Sequence, residues 1–112
     1  GRFRVPVLTT HGIGDSTVFV EGHDTLRQRM DAAGRGQWLV QTYVDSNEHS
    51  YLGDAIYPPL FEALLAWVEK GEKPSPAGIA ARCTGLRPAQ VGECRFDPAY
   101  TPRSLATRIA PR

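Results

Sequence analysis

Two residues of this chain have the types and placement to do chemistry together: a carboxylate and an imidazole, each just past a strand-like run. Asp15 closes the stretch Val5-Pro6-Val7-Leu8-Thr9-Thr10-His11-Gly12-Ile13-Gly14-Asp15, where an apolar run climbs to a Gly-flanked turn that presents one acid. His49 follows a second such run, in Ser46-Asn47-Glu48-His49. A carboxylate that bonds an imidazole fixes its tautomer and stabilises its charged form, so the ring can take a proton from a nucleophile and return it to a leaving group. Open α/β sheets carry functional groups outside the carboxyl ends of their strands, where both residues are expected. Each also has an ordinary reading. A carboxylate in Gly-x-Gly-Asp-Ser bonds its own turn, and a lone loop histidine is a surface residue.

Other residues could compete for these roles. Glu21 and Glu48 are alternative acids. His11 and His23 add two imidazoles, yet the spacing His11, Asp15, His23 matches no compact zinc pattern, so neither a metal nor another cofactor is expected. His11 is expected to be a strand-end residue bonded within its turn, and His23 to lie in solvent on the first turn of a helix. The nucleophile is missing. No Gly-x-Ser-x-Gly occurs, and Ser16, Ser46, Ser50, Ser75 and Ser104 fall on turns, in loops or in the tail rather than on a strand-to-helix elbow. The chain alone is not expected to hydrolyse anything.

The elements that must position the pair follow from periodicity. Val5–Thr10 reads as a strand buried on both faces, with Pro6 confined to its beginning or to an edge. Leu26, Met30 and Ala33 recur at helical spacing across Glu21–Ala33, and Gly34 is a candidate C-cap. Trp38–Val44 is β-branched and aromatic enough for a second strand, which makes a βαβ unit and hence a parallel pair. Asp45–Gly53 is a polar loop. Pro58 and Pro59 then suit the first turn of an apolar helix that holds Leu60, Phe61, Leu64, Leu65, Trp67 and Val68 and stops at Gly71. Its apolar surface is broad enough to imply packing against more than these two strands. From Glu72 to Arg112, Pro74, Pro76, Pro88, Pro98, Pro102 and Pro111 break any period, and an ordered but irregular tail is expected, anchored by Phe96, Tyr100, Leu105 and Ile109. The division is therefore 1–72, a βαβα unit, and 73–112, a Pro- and Gly-rich tail packed on the same domain.

Composition narrows the partners. With 13 basic and 12 acidic residues and a net charge of +1, there is no basic stripe for nucleic acid. No run approaches a membrane span. Two strands and two helices hold little apolar surface to cover both faces of a parallel pair, so a core complete in itself is not expected. The chain opens at Gly1-Arg2-Phe3 without Met or a secretory leader, as a fragment, a processed chain or an expression scar would, and secretion is neither implied nor excluded by that opening. Cys83 and Cys94 could remain free thiols. A disulfide between them would staple the tail, worth about 2 to 3 kcal/mol in the loop-entropy model, and would favour a secreted or extracytoplasmic location.

The stretch from Val5 to Glu21, with His11-Gly12-Ile13-Gly14-Asp15-Ser16-Thr17-Val18 at its centre, resembles the strand-seven region of α/β hydrolases, where a His-Gly-x-x-Asp-x-x-Val-Pro turn carries the catalytic acid. Ala32-Ala33-Gly34-Arg35, the Val40–Val44 strand and the helix Ala63-Leu64-Leu65-Ala66-Trp67-Val68-Glu69-Lys70-Gly71 are similar to the closing segment of secreted bacterial members. Phe19 stands where the family usually has Pro, and Asn47-Glu48-His49-Ser50 replaces the commoner Gly-His. Acid before histidine is also the chain order of that superfamily, in which serine comes first. The resemblance, over roughly residues 3 to 74, implies an α/β fold, the last two parallel strands and flanking helices of a hydrolase sheet; the irregular disulfide-stapled tail beyond it is expected from composition and the two cysteines alone. It implies Asp15 as triad acid and His49 as general base of an esterase-type serine hydrolase, a peptide or amide bond being the other substrate. The implied partner is an N-terminal remainder of the same hydrolase that carries the nucleophilic serine and the oxyanion hole, left after a proteolytic nick. Arg82, Arg87, Arg95, Arg103, Arg108 and Arg112 then read as a solvated set, a few of them paired with carboxylates on that body. The alternative is a non-catalytic α/β interaction domain in which Asp15 and His49 are turn residues.

Overall fold

The computed structural model of the chain describes residues 3–85 and 92–108. Strand β1 (Val7–Gly12) and strand β2 (Leu39–Val44) pair in parallel, with Val7 opposite Leu39 and Gly12 opposite Val44. Parallel neighbours need a crossover, and helix α1 (Glu21–Ala32) provides it. Helices α2 (Tyr57–Lys70) and α3 (Pro76–Thr84) follow.

Local chemistry sets the boundaries. β1 begins after Pro6, which has no amide to give to a ladder, and runs on through His11 rather than ending at Thr10. Trp38 closes a 3-10 turn (Gly36–Trp38), so β2 starts one residue later than expected. α1 is closed by a Schellman arrangement: Gly34 takes φ +64°, its N–H meets the Asp31 carbonyl at 2.9 Å, and the Arg35 N–H meets the Met30 carbonyl at 2.8 Å. In α2 the prolines occupy the first turn, and Gly71 at φ +74° ends it.

The tail is more regular than expected. Ser75 caps α3 by accepting the Gly78 N–H at 3.0 Å, Pro76 occupies its first turn, and Ile79 and Cys83, one turn apart, are buried. The Cys83–Cys94 disulfide then ties the return segment to this helix, with Cα atoms 5.6 Å apart. Pro88 and Pro111, with Arg87, Ile109 and Arg112, lie outside the described residues.

Alternation along β2 assigns the faces. Gln41 and Tyr43 turn to α1, where Gln41 Nε2 donates to the His23 carbonyl at 2.9 Å. Val44 turns the other way, into a core with Leu52, Ala55, Ile56, Leu60 and Ala63 and with Ile79 and Cys83 of α3. Helices thus cover both faces, and α3 supplies buried surface that two helices alone lack. Coverage is unequal between the strands. β2 is buried at every position but Gln41, whereas Val7 to His11 of β1 are only half-buried, not enclosed on both faces as expected. The return segment also closes the outer edge of β2: Phe96 bridges Val44 antiparallel, the Asp45 N–H meets the Arg95 carbonyl at 2.8 Å, and the Asp97 N–H meets the Tyr43 carbonyl at 2.9 Å. Among the described residues no strand lies on the outer edge of β1. No described helix is long and apolar enough to cross a membrane, and the disulfide is consistent with an extracellular location.

Candidate acid–base site at the strand ends

The loops that follow the two strands are fastened to each other. The Ile13 N–H meets the Val44 carbonyl and the Gly14 N–H meets the Ser46 carbonyl, both at 2.9 Å. A Cβ on Gly12 would stand 2.9 Å from the carbonyl oxygens of both Ser46 and Glu48, so only glycine lets the second loop lie this close. That approach brings the two candidate residues together.

His49 Nδ1 lies 2.8 Å from Asp15 Oδ2. Asp15 is buried, and its other oxygen, Oδ1, accepts the Thr17 N–H at 2.8 Å and the Val18 N–H at 3.1 Å. A carboxylate with two amides on one oxygen and a ring N–H on the other is fixed in orientation and stabilised in its charged form. The bond from His49, opposed by burial and helped by the Val18 and Thr17 amides, holds the Asp15 carboxyl at about 2, below its ordinary 3.8. With its proton on Nδ1 toward the acid, the ring keeps Nε2 as the basic nitrogen. Nε2 has no hydrogen-bond partner among the described residues, and the side chain is 45% exposed. The ring is thus anchored at one nitrogen and open at the other. Asp15 also makes the turn bonds of the ordinary reading, so the turn and the pair are one arrangement.

The neighbouring imidazoles divide. His11, at the end of β1, donates from Nε2 to the Val18 carbonyl at 2.8 Å, with the same nitrogen 3.5 Å from Asp15 Oδ2. It closes the turn that presents Asp15, as expected. His23 is not in solvent. Its ring centroid is 4.7 Å from that of His11 and 5.7 Å from that of Tyr43, and Nδ1 is buried without a partner among the described residues. Burial, with His11 adding to it, pushes its pKa down from 6.5 to about 4. The helix face that looked polar turns inward here because Gln41 and Tyr43 of β2 point at it.

The alternative acids are engaged elsewhere or do not meet the ring. Glu21 is paired with Arg108, which lowers its pKa, and the Arg108 guanidinium also lies 4.6 Å from the centre of the Phe19 ring. Arg108 is thus exposed, as expected, but finds its carboxylate within this chain. Glu48 contributes its N–H to Ser46 Oγ at 3.1 Å. Arg95, read from the sequence only as one of a solvated set, donates from its guanidinium Nη2 to the Leu52 carbonyl at 3.3 Å. A bond across 43 positions leaves no local signal. Ser46 Oγ and Ser75 Oγ are occupied with backbone amides. Among the described residues no three His, Cys, Asp or Glu side chains are grouped to hold a metal. No family model, no curated protein and no solved structure matches the chain.

Proposed function

We propose that this chain supplies the acid and the general base of a Ser-Asp-His triad, and that the nucleophilic serine and the oxyanion hole stand on the N-terminal remainder of the same hydrolase. The observation that carries it is the Asp15–His49 pair: a buried carboxylate with both oxygens bonded, 2.8 Å from Nδ1 of a ring whose other nitrogen is open. A turn carboxylate needs no such ring, and a surface histidine needs no buried carboxylate. In this reading His49 Nε2 takes the serine proton as the hydroxyl attacks an ester carbonyl, and later gives it to the leaving alcohol. Water then repeats the sequence on the acyl-enzyme, with Asp15 stabilising the imidazolium in both halves. Ester is preferred to amide because the resembling family favours it. The disulfide favours secretion.

The unfinished side of the fold supports a missing body. The outer edge of β1 is open among the described residues, and Phe61, Leu65 and Val68 of α2 are exposed. Between β1 and α2 lies a cavity of about 160 Å³ lined by Leu8, Thr10, Tyr57, Leu60, Phe61 and Leu64. A larger polypeptide that continues the sheet would cover all three.

The test is intact-mass and denaturing-gel analysis of native material, with a fluorophosphonate that labels activated serines. A second polypeptide is expected to co-purify and take the label, and His49→Ala to abolish labelling. Asp15→Asn is expected to slow it by about 10³- to 10⁴-fold, as loss of a triad acid does. A folded 112-residue chain that is alone and unlabelled would overturn the triad and leave the interaction domain.

A further inference from the structure

The loop that carries His49 is held at both ends by one residue outside it. The Arg95 carbonyl accepts the Asp45 N–H at 2.8 Å, where β2 gives way to the loop. The guanidinium of the same residue reaches beyond His49, and Nη2 donates to the Leu52 carbonyl at 3.3 Å. Ser46 to Tyr51 lie between these anchors. Arg95 is itself fixed by its neighbours: Cys94 is bonded to Cys83 of α3, and Phe96 bridges Val44. Ser46 is also held by the Gly14 N–H, but positions 47–51 are exposed and have little packing of their own, so ties at the ends of the loop limit their freedom. A long side chain with a planar set of donors suits the second tie.

We propose that Arg95 is a positioning residue for the Asp15–His49 pair: it clamps both ends of the loop that carries His49, and thereby sets how persistently imidazole and carboxylate remain in contact. Its consequence for activity rests on reading that pair as acid and base; its effect on the pair itself rests on the hydrogen-bond geometry alone.

The experiment is a carbon-13 titration of the Asp15 carboxyl in the full chain, with amide exchange measured alongside, comparing the parent with Arg95→Met, Arg95→Lys and His49→Ala. The titratable side chains that face Asp15 are His49 at 2.8 Å and His11 at 3.5 Å. The largest influence on its acidity is the bond from His49. Arg95→Met is therefore expected to raise the Asp15 midpoint toward that of His49→Ala. It is also expected to speed exchange of the Glu48 amide by roughly fivefold, the effect of one ordinary hydrogen bond, and to leave β2 amides unchanged. Arg95→Lys, which keeps a donor on a long stem, is expected to restore most of both. An unmoved midpoint in Arg95→Met overturns the proposal. So does exchange that quickens equally across β2 and α2, because Arg95 would then serve only the fold. Fluorophosphonate labelling of the native assembly reads the other question. A shifted midpoint in a protein whose parent takes no label leaves the clamp standing and removes the triad.

Discussion

Asp15 is kept charged by its hydrogen bonds and His23 is kept neutral by burial, and the difference shows as a pH dependence in two stages. Burial keeps His23 neutral in the folded chain until about pH 4, while an unfolded chain binds its proton near 6.5. Across that window protons are taken up by the unfolded state alone, so stability falls as the pH drops from 6.5 to 4. Asp15 acts lower down. Its carboxyl stays charged in the fold to about 2 but protonates near 3.8 when unfolded, so its contribution is fully present above 3.8 and is lost toward 2. Urea midpoints measured from pH 7 to pH 2 are expected to fall in both windows. His23→Phe should flatten the upper one and leave the lower. His49→Ala should shrink the lower one and spare the upper. A single slope removed by neither substitution would mean that the two sites do not carry the acid sensitivity.

At the scale of elements, the pair depends on two loops being allowed to touch. Gly12→Ala would set a methyl 2.9 Å from two carbonyl oxygens of the His49 loop, and neither belongs to a flexible side chain. The loop must shift, at a cost of about 1 to 3 kcal/mol, as overpacking does. Thermal unfolding is expected to show that loss, and the Asp15 midpoint to rise, since His49 moves with the loop. Elsewhere in the fold the weight falls on α3. Ile79 is fully enclosed, so Ile79→Ala should cost about 2 to 5 kcal/mol in urea unfolding, more than a helix in a draped tail would predict. The strands were legible as short apolar or β-branched runs, and α1 and α2 from apolar residues at helical spacing with Gly34 and Gly71 at their ends. α3 was hidden by the prolines around it, although Ser75-Pro76 is a helix start and Ile79 and Cys83 stand one turn apart. Of the site, Asp15 and His49 could be read from their positions after strands. Arg95 and the burial of His23 could not, because both depend on contacts between distant segments rather than on local pattern.

Among the described residues the fold is finished on one side and open on the other. On the side of β2, the return segment and its disulfide cover the edge; on the side of β1, a half-buried strand stands beside an apolar helix face. Phe61, Leu65 and Val68, at i, i+4 and i+7 of α2, are 64%, 55% and 61% exposed. A helix that turns its apolar stripe outward while another stripe is buried has two faces to satisfy, and a near-neutral chain has little net charge to keep such a surface from associating. If this face receives the body that carries the serine, Phe61→Glu with Leu65→Lys should separate assembly from the acid–base pair. The double variant is expected to leave the Asp15 midpoint and the unfolding temperature near those of the parent, because neither residue is buried in the core. It should reduce self-association of the isolated chain, seen by light scattering, and abolish recovery of the fluorophosphonate-labelled polypeptide with it. Labelled partner recovered undiminished would place the nucleophile on another face of the fold. An unchanged scattering profile with no partner in either protein would instead make the outward stripe an ordinary surface, and the open edge of β1 would then stand without a function.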